Sequence, residues 1–517
     1  MRLRLLTVWL ALAVPSALGA QVLTPRDSAL HALNRLAYGP RPGEVDSVAR
    51  VGVMRWIDQQ LAFERVPDVL VTQRERDFKL LDYDREELAQ RYGDALRQRR
   101  EMQREMAQSG DTNRRRGTGG GPMREFRELG GELQQLAVVR AALSERQLRE
   151  VMVDFWANHF NVFVGKGADR FLTPSYIEET IRPNALGRFE DLLIATAKSP
   201  AMLFYLDNAQ SVAPGASPPR RQPRAPRGLN ENYARELLEL HTLGVDGGYT
   251  QQDVIAVARI FTGWSIDRPQ RGAGFAFHEW AHDHGEKQVF GVRFQGGGME
   301  EGVRLLKLLA AQHATMHHVS RKLCARFVSD DPPDGCVDAA VDAWHRTNGD
   351  IRAILRAIFT SPDFWAPQAL RAKVKTPLEF VVSALRAAGA APDSTLRLAQ
   401  VVSRLGQPLY LQPAPTGYPE TQEQWVNSGA LLGRMNAAVA LAAGRLPGAN
   451  VNLDDLVAAT DDHAVLVDAV NARLLSGTMS AHTRTVILAQ LADVKDPVQA
   501  RTLAVGLALG GPEFQRQ

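Results

Sequence analysis

The stretch Asn230-Glu231-Asn232-Tyr233-Ala234-Arg235-Glu236-Leu237-Leu238-Glu239-Leu240-His241-Thr242-Leu243-Gly244 carries the pattern that decides the fold class. Tyr233, Leu237 and Leu240 fall at i, i+4 and i+7, and Ala234, Leu238 and His241 form the adjoining row, the stripe of an amphipathic helix. Gly244 ends it. Glu231 with Arg235, and Arg235 with Glu239, are i, i+4 pairs of opposite charge. The spacing predicts one continuous helix with His241 at the edge of its buried side. Pairing does not account for Asn232, Glu236 and His241. Read plainly, they are solvated surface and one satisfied core histidine. Read as chemistry, Glu236 and His241 stand at the lip of a cleft.

The same period recurs along the chain. Ala29, Leu33 and Leu36 share a face behind Thr24-Pro25-Arg26-Asp27, an N-cap with Pro at the first helical position. Leu148, Met152, Phe155 and His159 form another stripe. Thr250-Gln251-Gln252-Asp253 is a capping box for a helix from Val254 to Thr262. Residues 302–328, 337–364, 377–388 and 429–443 are also helical in pattern. There is no βαβ rhythm and no phosphate-binding loop. Aromatic alternation over 275–294 allows at most a small β-hairpin. The expectation is a mainly α, multi-helix, bundle-like protein. Its segments are 1–20 (a leader), 21–95, a charged and Gly-rich insertion at 96–124, a helical core at 125–450 broken by a Pro/Arg loop at 211–229, and a C-terminal helical part at 451–517.

Composition narrows the class. The chain has 517 residues, 45% hydrophobic and 23% charged, with a formal net charge of +3. That near-balance excludes the concentrated basic footprint of a nucleic-acid binder. Met1-Arg2-Leu3-Arg4 followed by an apolar run from Leu5 to Leu18 and the small residues around Gly19-Ala20 has the layout of a secretory signal peptide. The alternative is an uncleaved anchor. No later run of about 18 apolar residues suggests a transmembrane span. A periplasmic or secreted location follows as an expectation. In that setting Cys324 and Cys336 form either a disulfide or two buried thiols.

Polar motifs concentrate in three places. His278 to Lys287 holds three histidines, one Asp and two Glu, bracketed by Phe275, Phe277 and Trp280. His159 lies on an apolar stripe, and the central helix carries Glu236 and His241. If these segments meet, Glu236 and Asp283 are acid/base candidates. His159, His241 and His282 are candidate ligands for a divalent metal, and Asn232, Arg235, Lys287 and Trp264 are candidate substrate contacts. The plainer alternative is a hydrogen-bonded loop and buried, satisfied histidines. The run from His313 to His318, with Arg321 and Lys322 on the same helix, reads as exposed or packing residues rather than ligands. No Gly-x-Ser-x-Gly is present. Two functions remain open: a hydrolase, with or without a metal, acting on an extracytoplasmic polymer such as a polysaccharide or its fragments, or a non-catalytic module binding an envelope protein.

Several separated motifs occur in one order: Trp156-x-Asn158-His159-Phe160, Asn230 to Gly244, Phe261-Thr262-Gly263-Trp264, His282-Asp283-x-Gly285-x-Lys287, Lys322-Leu323, Lys375-Thr376-Pro377-x-Glu379-Phe380 and Pro415-Thr416-Gly417-Tyr418. Together they resemble the DUF1800 family of bacterial, often exported proteins. The resemblance implies export and a helical fold, and carries over no catalytic residue.

Overall fold

The computed structural model describes residues 23–109, 123–216, 228–267 and 274–517. The expected signal peptide, residues 110–122 of the insertion and residues 217–227 of the Pro/Arg loop lie outside them. The protein is mainly helical, as the periodicity predicts. Among the described residues the strands form only two-stranded antiparallel sheets, and no helix is long and apolar enough to cross a membrane.

Local chemistry explains the helix starts. Thr24 Oγ1 accepts the Asp27 N–H at the head of Pro25–Leu36, and Thr250 and Asp253 close a reciprocal capping box on Gln251–Ile260. A second box opens Pro377–Ala387: Thr376 caps, Pro377 takes the first position and Glu379 reaches back to the Thr376 N–H. Each such cap contributes about 1 kcal/mol. The long helix Arg85–Ser109 is charged along its length, yet Tyr92 anchors it edge-on to Phe126 and against Phe171.

Among the described residues the core is a main cluster of buried apolar side chains that runs from Ala29 to Phe514, with a small second cluster of Phe78, Leu136 and Val139. Helix Gln147–His159 passes through it, with Trp156 fully buried and its Nε1 donating to the Ala185 carbonyl at 2.9 Å. The C-terminal tail returns to the centre, where Arg516 bridges Val374 and Gln517 exchanges backbone hydrogen bonds with Lys373.

The strands exceed the one hairpin expected near 275–294. Lys287–Val289 pairs with Val292–Phe294 as a tight hairpin, and Phe275–Phe277 pairs backward with Trp264–Ile266. The latter strand is three residues, all buried, so it shows no alternation for a sequence to reveal. A two-residue pair, Ala391–Pro392 with Ala449–Asn450, completes the set.

The central stretch is not a plain α-helix. Asn232–Glu236 is α-helical, and Leu237–Thr242 widens into a π-helix. The Leu243 N–H reaches back to Leu238 O, and Thr242 Oγ1 donates to Leu237 O at 2.6 Å. The wider turn changes the register after Leu237. His241 is carried from the edge into the core, and Leu240 becomes partly exposed.

Cys324 and Cys336 form a disulfide that ties helix His313–Phe327 to helix Asp334–Thr347. Replacing both cysteines by alanine is expected to lower the unfolding free energy by about 3 kcal/mol, the loop-closure value for a ring of this size. Urea denaturation of the variant against the oxidised wild type measures it.

Candidate functional site

The expected site residues fall into separate neighbourhoods. Asp283 is held by Arg259 through two hydrogen bonds, at 2.7 and 3.0 Å, and accepts the Gly285 N–H. Burial pushes its carboxyl up, but the Arg259 bonds win and keep it below the usual carboxylate range. Lys287 is buried, donates to Glu301 at 2.6 Å and also bonds the Asp283 carbonyl. His282 sits over the same pair: Nδ1 donates to the Thr262 carbonyl at 2.9 Å, and Nε2 lies 3.4 Å from Glu301. Trp264 is fully buried, stacked edge-on to Phe261 and Phe275. Asn232 is exposed at the start of the central helix, with its N–H on Asn230. Arg235 bonds Gln251 at 2.9 Å and Glu231 at 3.5 Å, the expected i, i+4 pair. Glu236 is half-buried; burial and Glu239 push its carboxyl up, and Arg235 opposes them.

His159 and His241 do come together, with ring centroids 6.3 Å apart. His159 Nε2 donates to the His241 carbonyl at 3.2 Å, and Lys322 donates to His159 Nδ1 at 3.0 Å. His318 stands 6.5 Å from His159. Burial and Lys322 depress His241 to about 3 and His318 to about 4, so these rings are neutral. None of the hydrogen bonds, ion pairs or ring contacts of the Asp283–Lys287 network among the described residues reaches His159, His241 or Glu236. Among the described residues no group of three or more His, Cys, Asp or Glu is set to hold a metal ion as it stands.

A different cleft collects the polar ends of distant motifs. Asp154 and Asn158 lie one turn apart on helix Gln147–His159, Arg326 comes from His313–Phe327, and Tyr410, Tyr418 and Glu420 come from the loop after Pro408. Its volume is about 40 Å³, room for a few waters or one small group. Arg326 is buried, forms a short ion pair with Glu379, and lies 3.9 Å from Glu420. Burial alone would raise Glu379, but Arg326, the Gln517 side chain and the Thr376 N–H hold it at about 2. Asp154 is treated differently. Burial pushes its carboxyl up to about 7, with Glu420 and Glu379 adding to the rise and Arg326 opposing it. No hydrogen bond stabilises its charged form among the described residues.

The loop forming the roof is strapped down. Asn158 clamps Tyr418 from both sides, accepting its N–H at 2.6 Å and donating to its carbonyl at 2.8 Å. Asn161 donates to Gln412 and Ala414, and Tyr205 to Pro413. Lys373 holds the Glu420 carbonyl, and Asp330 accepts the Gln422 N–H. Gly417 has φ +71°, and a Cβ there would come 2.4 Å from the Asn158 carbonyl, so the Thr-Gly-Tyr turn requires glycine. Tyr410, a non-glycine at φ 58°, stores backbone strain in the cleft wall.

Sequence reading missed Asp154, Arg326 and Glu420. Each stands within four residues of a motif: Asp154 before Asn158, Arg326 after Lys322, and Glu420 after Tyr418. The motif positions were the available signal, and the polar residue just outside each motif was the one to weigh.

Removing one partner of a buried ion pair leaves an uncompensated charge. Glu379→Ala is expected to cost about 3–5 kcal/mol. Glu379 has a depressed folded value, so its contribution is fully present above about pH 4.5 and is lost as pH falls toward 2. Glu379→Gln should lack that acid-limb loss in a denaturation series from pH 5 to 2.

Neither a curated protein nor a solved structure matches the chain. The model of a family described as "Protein of unknown function (DUF1800)" matches residues 31–516, nearly the whole length, and on that extent the chain belongs to the DUF1800 family.

Proposed function

We propose that this chain is an exported acid/base hydrolase acting on an extracytoplasmic polymer or its fragments, with Asp154 as the proton-transferring group. The observation that carries the reading is an Asp154 carboxyl with no hydrogen bond among the described residues, opening on a cleft and pushed up to about 7. A group with that affinity both gives and takes a proton near neutrality. Arg326, held in place by its ion pair with Glu379, also lines the cleft and can donate its remaining N–H groups to a substrate oxygen. Tyr410, Tyr418 and Trp425 give aromatic walls of the kind that pack against sugar rings. The small volume suits one reacting group at a chain end or branch rather than a threaded polymer.

Asp154 is preferred to Glu236 and Asp283 for stated reasons. Asp283 is committed to Arg259. Glu236 is raised by burial, but the cation acting on it among the described residues is Arg235, which bonds Gln251 and Glu231. The signal-peptide layout and the disulfide support export. One observation favours the non-catalytic alternative, an envelope-binding module: Val426, Leu431 and Leu432 are exposed next to Trp425 in the chain, at 43%, 38% and 63%.

Two measurements test the proposal. Carboxyl ¹³C NMR of wild type minus Asp154→Asn should show one group titrating near pH 7, and a value below about 5 removes the acid/base argument. On a panel of ester, glycoside and peptide substrates, any turnover should fall at least 100-fold in Asp154→Asn. Turnover that survives in that variant assigns the chemistry elsewhere. The stability sign is opposite to that of Glu379. Asp154 binds its proton more tightly folded than unfolded, so its own contribution to stability is fully present below about pH 4 and declines as pH rises to 7. At ~1.4 kcal/mol per unit the decline is at most about 4 kcal/mol, and Asp154→Asn should remove it.

A further inference from the structure

Helix His313–Phe327 and helix Asp334–Thr347 run antiparallel, joined near the turn by the Cys324–Cys336 disulfide. At the other end of this hairpin exposed His313 neighbours two other exposed histidines, His317 and His345. His313 and His317 are i, i+4 neighbours with ring centroids 6.5 Å apart and planes 25° from parallel. His345, from the second helix, lies 6.4 Å from His313. Each ring is solvent-exposed, and none of the three forms a hydrogen bond or ion pair among the described residues. They make no part of the Asp154 cleft or of the His159–His241–His318 group.

We propose that His313, His317 and His345 form a surface site for a divalent transition metal, Zn²⁺, Ni²⁺ or Cu²⁺, that clamps the open end of the disulfide-tied hairpin. Two histidines one helical turn apart present their imidazoles on the same side, the spacing by which a helix chelates an ion. Imidazole nitrogen suits these metals in preference to Mg²⁺ or Ca²⁺. A metal–nitrogen distance of about 2.1 Å requires His317 and His345 each to close on His313 by roughly 1–2 Å. Small side-chain rotations supply that closure, and each ring is free to turn because no bond holds it. Water completes the coordination. The consequence reaches the candidate site, because the clamped helix also carries His318, Lys322 and Arg326.

The test uses the full mature protein, dialysed against a chelator and titrated with Zn²⁺ and then Ni²⁺ by calorimetry, with thermal unfolding in parallel. The expected result is one ion per chain and a raised unfolding temperature. Affinity should fall at least tenfold in His313→Ala, His317→Ala and His345→Ala. All three positions are exposed, so the variants should keep the metal-free unfolding temperature of the wild type. The double variant His278→Ala/His284→Ala, in the histidine-rich 278–284 segment, should bind as wild type does. Absence of binding, or binding lost only in that double variant, overturns the site. Wild-type affinity in His345→Ala overturns the clamp between the helices.

Discussion

The buried pair of Arg326 and Glu379 is the constraint around which the centre of the protein is arranged. Neither charge is stable in the core without the other. Glu379 also caps its own helix through the Thr376 N–H and receives the Gln517 side chain at 2.9 Å. One carboxylate thus joins a cation from a distant helix, a helix start and the end of the chain. The arrangement also divides the charge of the cleft. Arg326 and Lys373 answer Glu379, and Lys322 acts on Glu420. Asp154 is left with only the opposing pull of Arg326 against burial and two neighbouring carboxylates, and a proton near neutrality is the result.

A second constraint is the π-turn at Leu237–Thr242. It brings His241 beside His159 and places its carbonyl as acceptor for the His159 ring. Lys322 then meets the other nitrogen of that ring. A half-buried lysine, Lys322, beside neutral imidazoles and one helical turn from Arg326 links this group to the cleft along a single helix. The His282–Asp283–Lys287 loop is tied to its surroundings: Arg259, Thr262 and Glu301 bond Asp283, His282 Nδ1 and Lys287 and pin the two hairpins to helix Gln251–Ile260, while His282 Nε2 is buried without a hydrogen bond among the described residues.

Much of the architecture was legible in the chain. Apolar spacing set the helices, Thr24 and Thr250 marked their starts, and of the two expected i, i+4 charge pairs of the central stretch Glu231–Arg235 forms, while Glu239 accepts from Tyr249. The cysteines bond to each other. Less legible were the paired strand Trp264–Ile266, too short and too buried to alternate, and the π-turn, which no side-chain period announces. The density of polar residues at His278–Lys287 suggested chemistry, but density does not separate a reactive group from one held in an ion-pair network such as Arg259–Asp283 and Lys287–Glu301. Asp154 had the opposite profile: one acid on an apolar helix, conspicuous only once its surroundings are known.

The sequence by itself determined which segments are helical, where they are capped, that two cysteines stood ready to join, and which family the motifs resemble. Those properties depend on neighbours within a turn or two, or on order along the chain. Only the tertiary structure decided which motifs share a site. Asp154, Arg326, Glu379 and Glu420 are separated by up to hundreds of residues, and no periodicity carries that distance. Their protonation was decided there as well, because it depends on burial and on the sum of nearby charges, and both exist only in the folded chain.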